Sequence, residues 1–376
     1  MTGDACLLGC GLVTSLGDGL AAQLPALRAG RAGAHAVPQG YQMPPWPYHL
    51  AVAYAGATRM YDMLDRAVEQ ALAEADLAAA QLDRMAVLVG STCLDLPLQE
   101  SEYAAQAAAG AGRVPIKGPN YGNVAAHLAQ RFGLRGPQYT LNTACSSSAN
   151  ALLHARLLLH EGRVQHALVV GVESYNRLSV QGFGSLMLLS KSRYRPFDRD
   201  RDGLILGEGA GALVLGTGGG TERIVGAASA CDPSSPTNSA PARIAEVMQA
   251  ALADGGVPLG ALAAIKAHGT GTGSNDGAEG QAMRELGAAA GGLPPFTSLK
   301  PYVGHTLGGC GAIELLLLLA AWREGFLPAT PEFAQADPAI GVAPLPAAVA
   351  LPARGAVLCN FFGFGGNNTS LVVARG

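Results

Sequence analysis

The chain has 376 residues, 49% of them hydrophobic, a formal net charge of −3 and seven cysteines. That is enough apolar matter for one large core or two closely packed ones. The weak charge gives no general attraction to nucleic acid or anionic lipid. The odd cysteine count without CxxC spacing, together with eight histidines lacking an HExxH pattern, points away from a disulfide framework and from a metal site.

In chain order, the first residues lack the basic start and apolar stretch of a secretory signal, so a cytoplasmic protein is expected. Short β-rich apolar segments at 6–13, 85–89, 138–142, 167–170, 212–215, 224–227, 263–267, 356–360 and 370–373 read as strands. Residues 60–75, 146–160, 243–253 and 311–324 carry apolar positions at three- and four-residue spacing and read as helices. The longest apolar run, 315–322, is far short of the roughly 20 residues of a membrane span and reads as a buried helix. Loops are expected at 38–47, 216–220 and 233–241, where Pro, Gly and Ser gather. This alternation indicates an α/β protein. The order of elements also runs twice: 85–92 and 263–270 each lead from a strand into a Gly/Thr-rich turn, and 139–160 and 295–322 each lead into a long apolar helix. Two related halves, 1–220 and 221–376, are the simplest account.

Three polar clusters fall at the ends of these elements. Cys145 lies between a strand and an Ala/Leu-rich helix, where unpaired N–H groups and the helix dipole favour a thiolate; a small packing cysteine is the alternative. His268 ends a strand above the loop Gly269-Thr270-Gly271-Thr272, which lacks the lysine and spacing of a Walker motif. Lys300 and His305 precede the most apolar helix.

Together the segments Thr143-Ala144-Cys145-Ser146-Ser147-Ser148, Pro196-Phe197-Asp198 with Gly207-Glu208-Gly209, His268-Gly269-Thr270-Gly271-Thr272, Lys300 with Gly304-His305-Thr306, and Asn360-Phe361-Phe362-Gly363-Phe364-Gly365-Gly366 resemble the β-ketoacyl synthases, in the family's order. The resemblance implies a thiolase fold, two similar α/β halves in a five-layered α-β-α-β-α arrangement, and a dimer. It implies an acyltransferase: Cys145 accepts an acyl chain from acyl carrier protein and condenses it with malonyl carrier protein by decarboxylative Claisen condensation. His268 and His305 match the pair that stabilises the enolate, Lys300 is expected to tune or orient His305, and Glu314 to satisfy Lys300.

Further matches follow from the same resemblance. The Cys145 and Phe364 backbone N–H groups form the oxyanion hole, and Phe364 is the gating aromatic. Thr270 and Thr272 meet the phosphopantetheine arm, the only cofactor-like group implied; Phe183 and Phe362 meet substrate, Cys93 stands in a loop that reaches across the dimer towards the acyl pocket, and Asp276 is in support. Arg59, Arg66, Arg113 and Lys117 match the carrier-docking surface, while Met187 stands where a relative carries arginine. Gly273, in place of a usual proline, is expected to loosen the turn after the Gly/Thr loop, and Cys310 interrupts a run usually built of alanine and glycine.

His305 separates the chain from thiolases and from acyl-CoA-dependent synthases, and Cys145 separates it from chain-length factors that lack the nucleophile. The spelling of the motifs leans towards a type II polyketide or polyene system over a housekeeping fatty acid enzyme. Homodimer and heterodimer with a related chain-length factor both stay open.

Overall fold

A computed structural model describes residues 5–34, 46–110, 112 and 120–376. The first half contributes five main strands: β1 (Ala5–Thr14), β2 (Ala86–Gly90), β3 (Gln138–Leu141), β4 (His166–Glu173) and β5 (Gly209–Gly216). The second contributes β6 (Glu222–Cys231), β7 (Leu262–Lys266), β8 (Phe296–Thr297), β9 (Gly355–Gly363) and β10 (Asn367–Arg375). The first five are ordered β3-β2-β4-β5-β1 and the second five β8-β7-β9-β10-β6. Each half therefore has the spatial order 3-2-4-5-1 of its own strands. Antiparallel pairing of Ala5 with Ile224 joins the two sets into one hydrogen-bonded path.

Helices cover both faces. On the first half's outer face lie α1 (Arg59–Ala75) and α2 (Asn123–Phe132), whose buried residues, such as Met60, Met63, Leu64, Ala67 and Ala71, recur every three or four positions. The outer face of the second half carries α4 (Pro241–Asp254), packed against α5 (Gly273–Ala290). Between the two sets of strands run α3 (Ser147–His160) and α6 (Cys310–Arg323), which touch each other and strands of both halves. These are the five layers of the thiolase fold. A helix in the middle layer has no solvent side, which is why α6 is apolar on every face apart from the ion-paired Glu314 and is buried from Cys310 to Trp322. Close approach requires glycine at the crossing: a Cβ on Gly311 would lie 2.3 Å from the Ala149 nitrogen.

β2, β3 and β4 are parallel to one another, as are β7, β8 and β9. The segments that follow them, carrying Cys145, His268, Lys300 and Phe364, therefore leave from the same kind of strand end. The nine strands read from the sequence are present, and β8 was too short to show. Helices at Leu20–Ala29, Leu96–Ala108, Arg177–Ser185 and Gly273–Ala290 carried too weak a pattern or too many glycines to be read, and Asn123–Phe132, with apolar positions at helical spacing, was missed. Gly273 is thus the first residue of α5 and not part of a loosened turn. Among the described residues no helix is long and apolar enough to cross a membrane.

Candidate active site

Cys145 sits on a tight turn between β3 and α3. The preceding Ala144 has φ 52°, a left-handed conformation that costs an L-residue about 1–2 kcal/mol. Local bonds hold it: Ser147 Oγ donates to the Ala144 carbonyl at 2.6 Å and accepts from the Thr143 N–H at 2.9 Å. Asn150 Nδ2 and Ser146 Oγ both donate to Thr143 Oγ1. Gly363 of β9 closes on the turn so tightly that a Cβ would meet the Cys145 nitrogen at 2.9 Å.

Burial pushes the Cys145 thiol up to about 12, against the pull of the Lys300 charge and of the Phe364 N–H, which hydrogen-bonds the sulfur. The free site thus holds a thiol; loss of hydration outweighs the helix N-terminus from which a thiolate was expected.

His268 and His305 lie ring to ring, centroids 5.5 Å apart and nearly perpendicular. Lys300 Nζ stands 3.2 Å from His268 Nδ1, 2.6 Å from the His268 carbonyl and 2.8 Å from Glu314 Oε1. An ammonium only donates, so His268 Nδ1 must accept and the ring proton resides on Nε2. In His305 the Leu307 N–H donates to Nδ1 at 3.2 Å, which again leaves the proton on Nε2. Burial, reinforced by Lys300, holds both imidazoles well below their ordinary value, so both are neutral Nε2–H donors at neutral pH. The attraction of Glu314 raises Lys300 despite its burial and keeps it charged.

Lys300 therefore orients His268, and it acts on His305 only through its charge, which helps to hold that ring neutral. Gly304, with φ 78°, turns the chain, and His305 is fixed instead by its own backbone: its N–H donates to the Ile205 carbonyl at 2.8 Å.

Beneath this pair, two carboxylates collect backbone donors. Asp276 Oδ1 accepts from the Thr270 N–H and Oδ2 from the Phe197 N–H. Glu279 accepts from the N–H groups of His268 and Gly269, both at 2.8 Å, and from Asn360 Nδ2. They shape the Gly/Thr loop, on which Thr270 and Thr272 hydroxyls lie 2.9 Å apart. A cavity of about 290 Å³ is lined by Cys145, both histidines, both threonines, Phe362 and Phe364. Phe183 stacks on Phe364 at its side, centroids 5.5 Å apart.

Other candidates lie elsewhere. Cys93, which the resemblance sends across a dimer towards the acyl pocket, lies outside this chain's own cavity, buried among α1 and α2 residues with its N–H bonded to Glu173. Arg59 is paired with the buried carboxylate of Glu208 and is not free to dock a partner. Arg66, half exposed, is 3.5 Å from Asp18. Arg113 and Lys117 lie outside the described residues.

Two participants were missed. Lys266 donates to Glu314 at 2.7 Å, so that carboxylate serves two lysines. Glu279 follows Asp276 by three residues, a spacing that puts both on one helical face and was a readable signal once α5 is recognised.

The family model of the β-ketoacyl synthase N-terminal domain matches residues 53–218, and that of the C-terminal domain matches residues 222–334. The chain is 31% identical over 315 residues to 3-oxoacyl-[acyl-carrier-protein] synthase 2 of Vibrio cholerae, covering 78% of this chain and 76% of that one. It is 32% identical over 332 residues to the protein of the same name from Synechocystis, covering 82% and 80%. Among solved structures, the ishigamide ketosynthase/chain length factor superposes with a TM-score of 0.87 at 26% identity over the full length of both chains.

Proposed function

The chain belongs to the β-ketoacyl synthase family, and from that premise we propose that Cys145 takes an acyl group from a carrier protein and condenses it with a malonyl group on a second carrier. The observation that carries this reading is the opening of Cys145, His268 and His305 onto one cavity, with both imidazoles protonated on Nε2.

In the first half-reaction the Cys145 sulfur attacks the incoming thioester carbonyl, the bond to pantetheine sulfur breaks, and the thiol proton ends on the departing pantetheine. The N–H groups of Cys145 and Phe364 receive the oxyanion. Lys300 and the Phe364 N–H draw the buried sulfur towards its anionic form. In the second, the malonyl thioester oxygen accepts from the Nε2–H groups of His268 and His305. Carbon dioxide leaves, and the freed electron pair attacks the acyl carbonyl on Cys145. The carbon–sulfur bond breaks, the electron pair stays on the Cys145 sulfur, and that thiolate takes up one proton from solvent to restore the thiol. Two neutral donors suit this step, since they meet developing negative charge without needing to gain or lose a proton themselves.

Thr270 and Thr272 would hold the pantetheine arm, and Phe183, Phe362 and Phe364 would border the acyl chain. A carrier protein is the partner that such an arm implies. The names of the curated relatives specify acyl carrier protein, and the ketosynthase/chain length factor similarity supports pairing with a related subunit in a type II polyketide or polyene pathway. The halves 1–220 and 221–376 would then supply the nucleophile and the two histidines respectively.

The test is incubation with acyl carrier protein and malonyl carrier protein. Mass spectrometry should find the acyl group on the Cys145 peptide and the β-ketoacyl product on the carrier, with one carbon dioxide released per product. Acylation elsewhere, or none at all, overturns the reading.

A further inference from the structure

One buried thiol has no part in the chemistry above, yet touches the nucleophile's own peptide group. Cys310, the first residue of α6, donates its S–H to the Cys145 carbonyl at 3.0 Å, and its side chain is fully buried. The other side-chain bonds that shape this turn come from Thr143, Ser146, Ser147 and Asn150, all in the same half as Cys145. They fix the turn's shape; its place relative to His268 and His305, in the other half, is held by contacts from that half: the Phe364 N–H on the sulfur, Thr369 Oγ1 on Asn150 Oδ1 at 3.0 Å and, on the peptide group of Cys145 itself, Cys310. Cys310 lies five residues beyond His305, at the head of the helix that also bears Glu314.

We propose that Cys310 is a positioning residue that registers the Cys145 turn against the histidine pair. Its S–H reaches from α6 across the boundary between the halves and holds the carbonyl of a turn already bent into a left-handed conformation at Ala144. The neighbouring bond from the Ala312 N–H to Ser148 Oγ, 3.1 Å, runs in the same direction and leaves the Cys145 carbonyl to Cys310. The position is one where the sequence resemblance leads to a small, non-donating residue, so this link is a property of this chain. Loss of the donor should therefore uncouple the two half-reactions: the histidines keep their own supports in Lys300 and the Leu307 N–H, while the sulfur loses its fixed distance to the enolate.

The inference rests on the condensing reading for its kinetic arm, and it has a second arm that does not. Cys310→Ala removes the donor and Cys310→Ser keeps one. For each, the ratio of condensation product to carbon dioxide released from malonyl carrier protein is measured, and separately the rate at which iodoacetamide alkylates the Cys145 peptide.

Cys310→Ala should lower condensation at least about tenfold while carbon dioxide release stays within about twofold. Its alkylation rate should shift by at least about fivefold. Cys310→Ser should restore both to within about threefold. Unchanged coupling and alkylation in Cys310→Ala overturn the proposal. So does an equal fall of every activity in both variants, which is the signature of general loss of packing. If the parent protein neither condenses nor decarboxylates, the condensing reading fails, and the alkylation rates alone decide whether Cys310 positions Cys145.

Discussion

Lys300 Nζ lies 3.2 Å from Nδ1 of His268, and this contact decides which nitrogen of that ring carries its proton. The ammonium donates to the His268 ring and the His268 carbonyl, and its charge is balanced by Glu314 Oε1 at 2.8 Å as an ion pair. The lysine is thus a fixed support for the electrophilic side of the site and needs no proton exchange to act.

Replacing Lys300 by Met should release the His268 tautomer and weaken the donor aimed at the malonyl carbonyl. Carbon dioxide release is expected to fall about 100-fold, the size of effect seen when one preorganised donor is lost. Lys266 remains to neutralise Glu314, so the fold should lose about 1–3 kcal/mol, less than the full cost of an orphaned buried charge. Decarboxylation assays and urea titrations check the two parts, and undiminished decarboxylation would refute the tautomer argument.

The histidines also tie stability to pH. Their folded pKa values lie well below 6.5, so below pH 6.5 the unfolded chain takes up protons that the folded chain refuses. Their contribution is complete above pH 6.5 and is lost as pH falls through it, at about 1.4 kcal/mol per pH unit for each histidine. The buried carboxyls Glu173, Glu208, Asp276 and Glu279 are raised and act in the opposite sense. A difference measurement removes them: His305→Gln should lose less unfolding free energy than the parent between pH 6.5 and 5.5. Identical pH slopes would show that His305 is not buried neutral.

Glu279→Gln tests the carboxylate under the Gly/Thr loop. Its two oxygens accept the His268 and Gly269 N–H groups, whereas a glutamine must turn its NH₂ towards one of them. One buried donor then goes unmet, for a loss of about 1–3 kcal/mol. Thermal or urea unfolding measures it. The affinity for carrier-bound substrate should drop with it, because the same loop bears Thr270 and Thr272. A variant as stable as the parent would mean the two N–H groups have other acceptors.

Gly311→Ala tests the middle layer. The added methyl would meet the Ala149 nitrogen at 2.3 Å, backbone that cannot swing aside, so α3 and α6 must separate. We expect about 1–3 kcal/mol of destabilisation, together with a slower acylation of Cys145 as its turn shifts. Wild-type unfolding and acylation would show that the helices are free to slide.

The chemistry was legible in the sequence where it is local. Cys145, His268 and His305 each stand at the junction of a β-rich run with a loop or apolar helix, and strand patterns of branched and small apolar residues survived on both faces of buried sheet. What was lost is non-local. The resemblance sets Lys300 beside His305, but the turn at Gly304 sends the histidine backbone to Ile205 and leaves the ammonium facing His268. Arg59 looked like a surface charge because its partner, Glu208, is far along the chain. The start of α5 reads as loop through its glycines, Gly273, Gly277 and Gly280, so Glu279 was missed although it is buried beside Asp276 and receives backbone donors.

The repeated strand order bears on how such a chain can change over generations. Every group with a chemical task leaves from the carboxyl end of a parallel strand, three strands in each copy, and the two rims meet at the cavity. Lengthening or recolouring those rims can retune which chain is accepted while the opposite ends, which only hold the sheet together, stay as they are. The repeated order gives this molecule two such rims. One became the hand that holds the substrate and the other the hand that draws out its charge, so a substitution that suits either task must still let the two hands close.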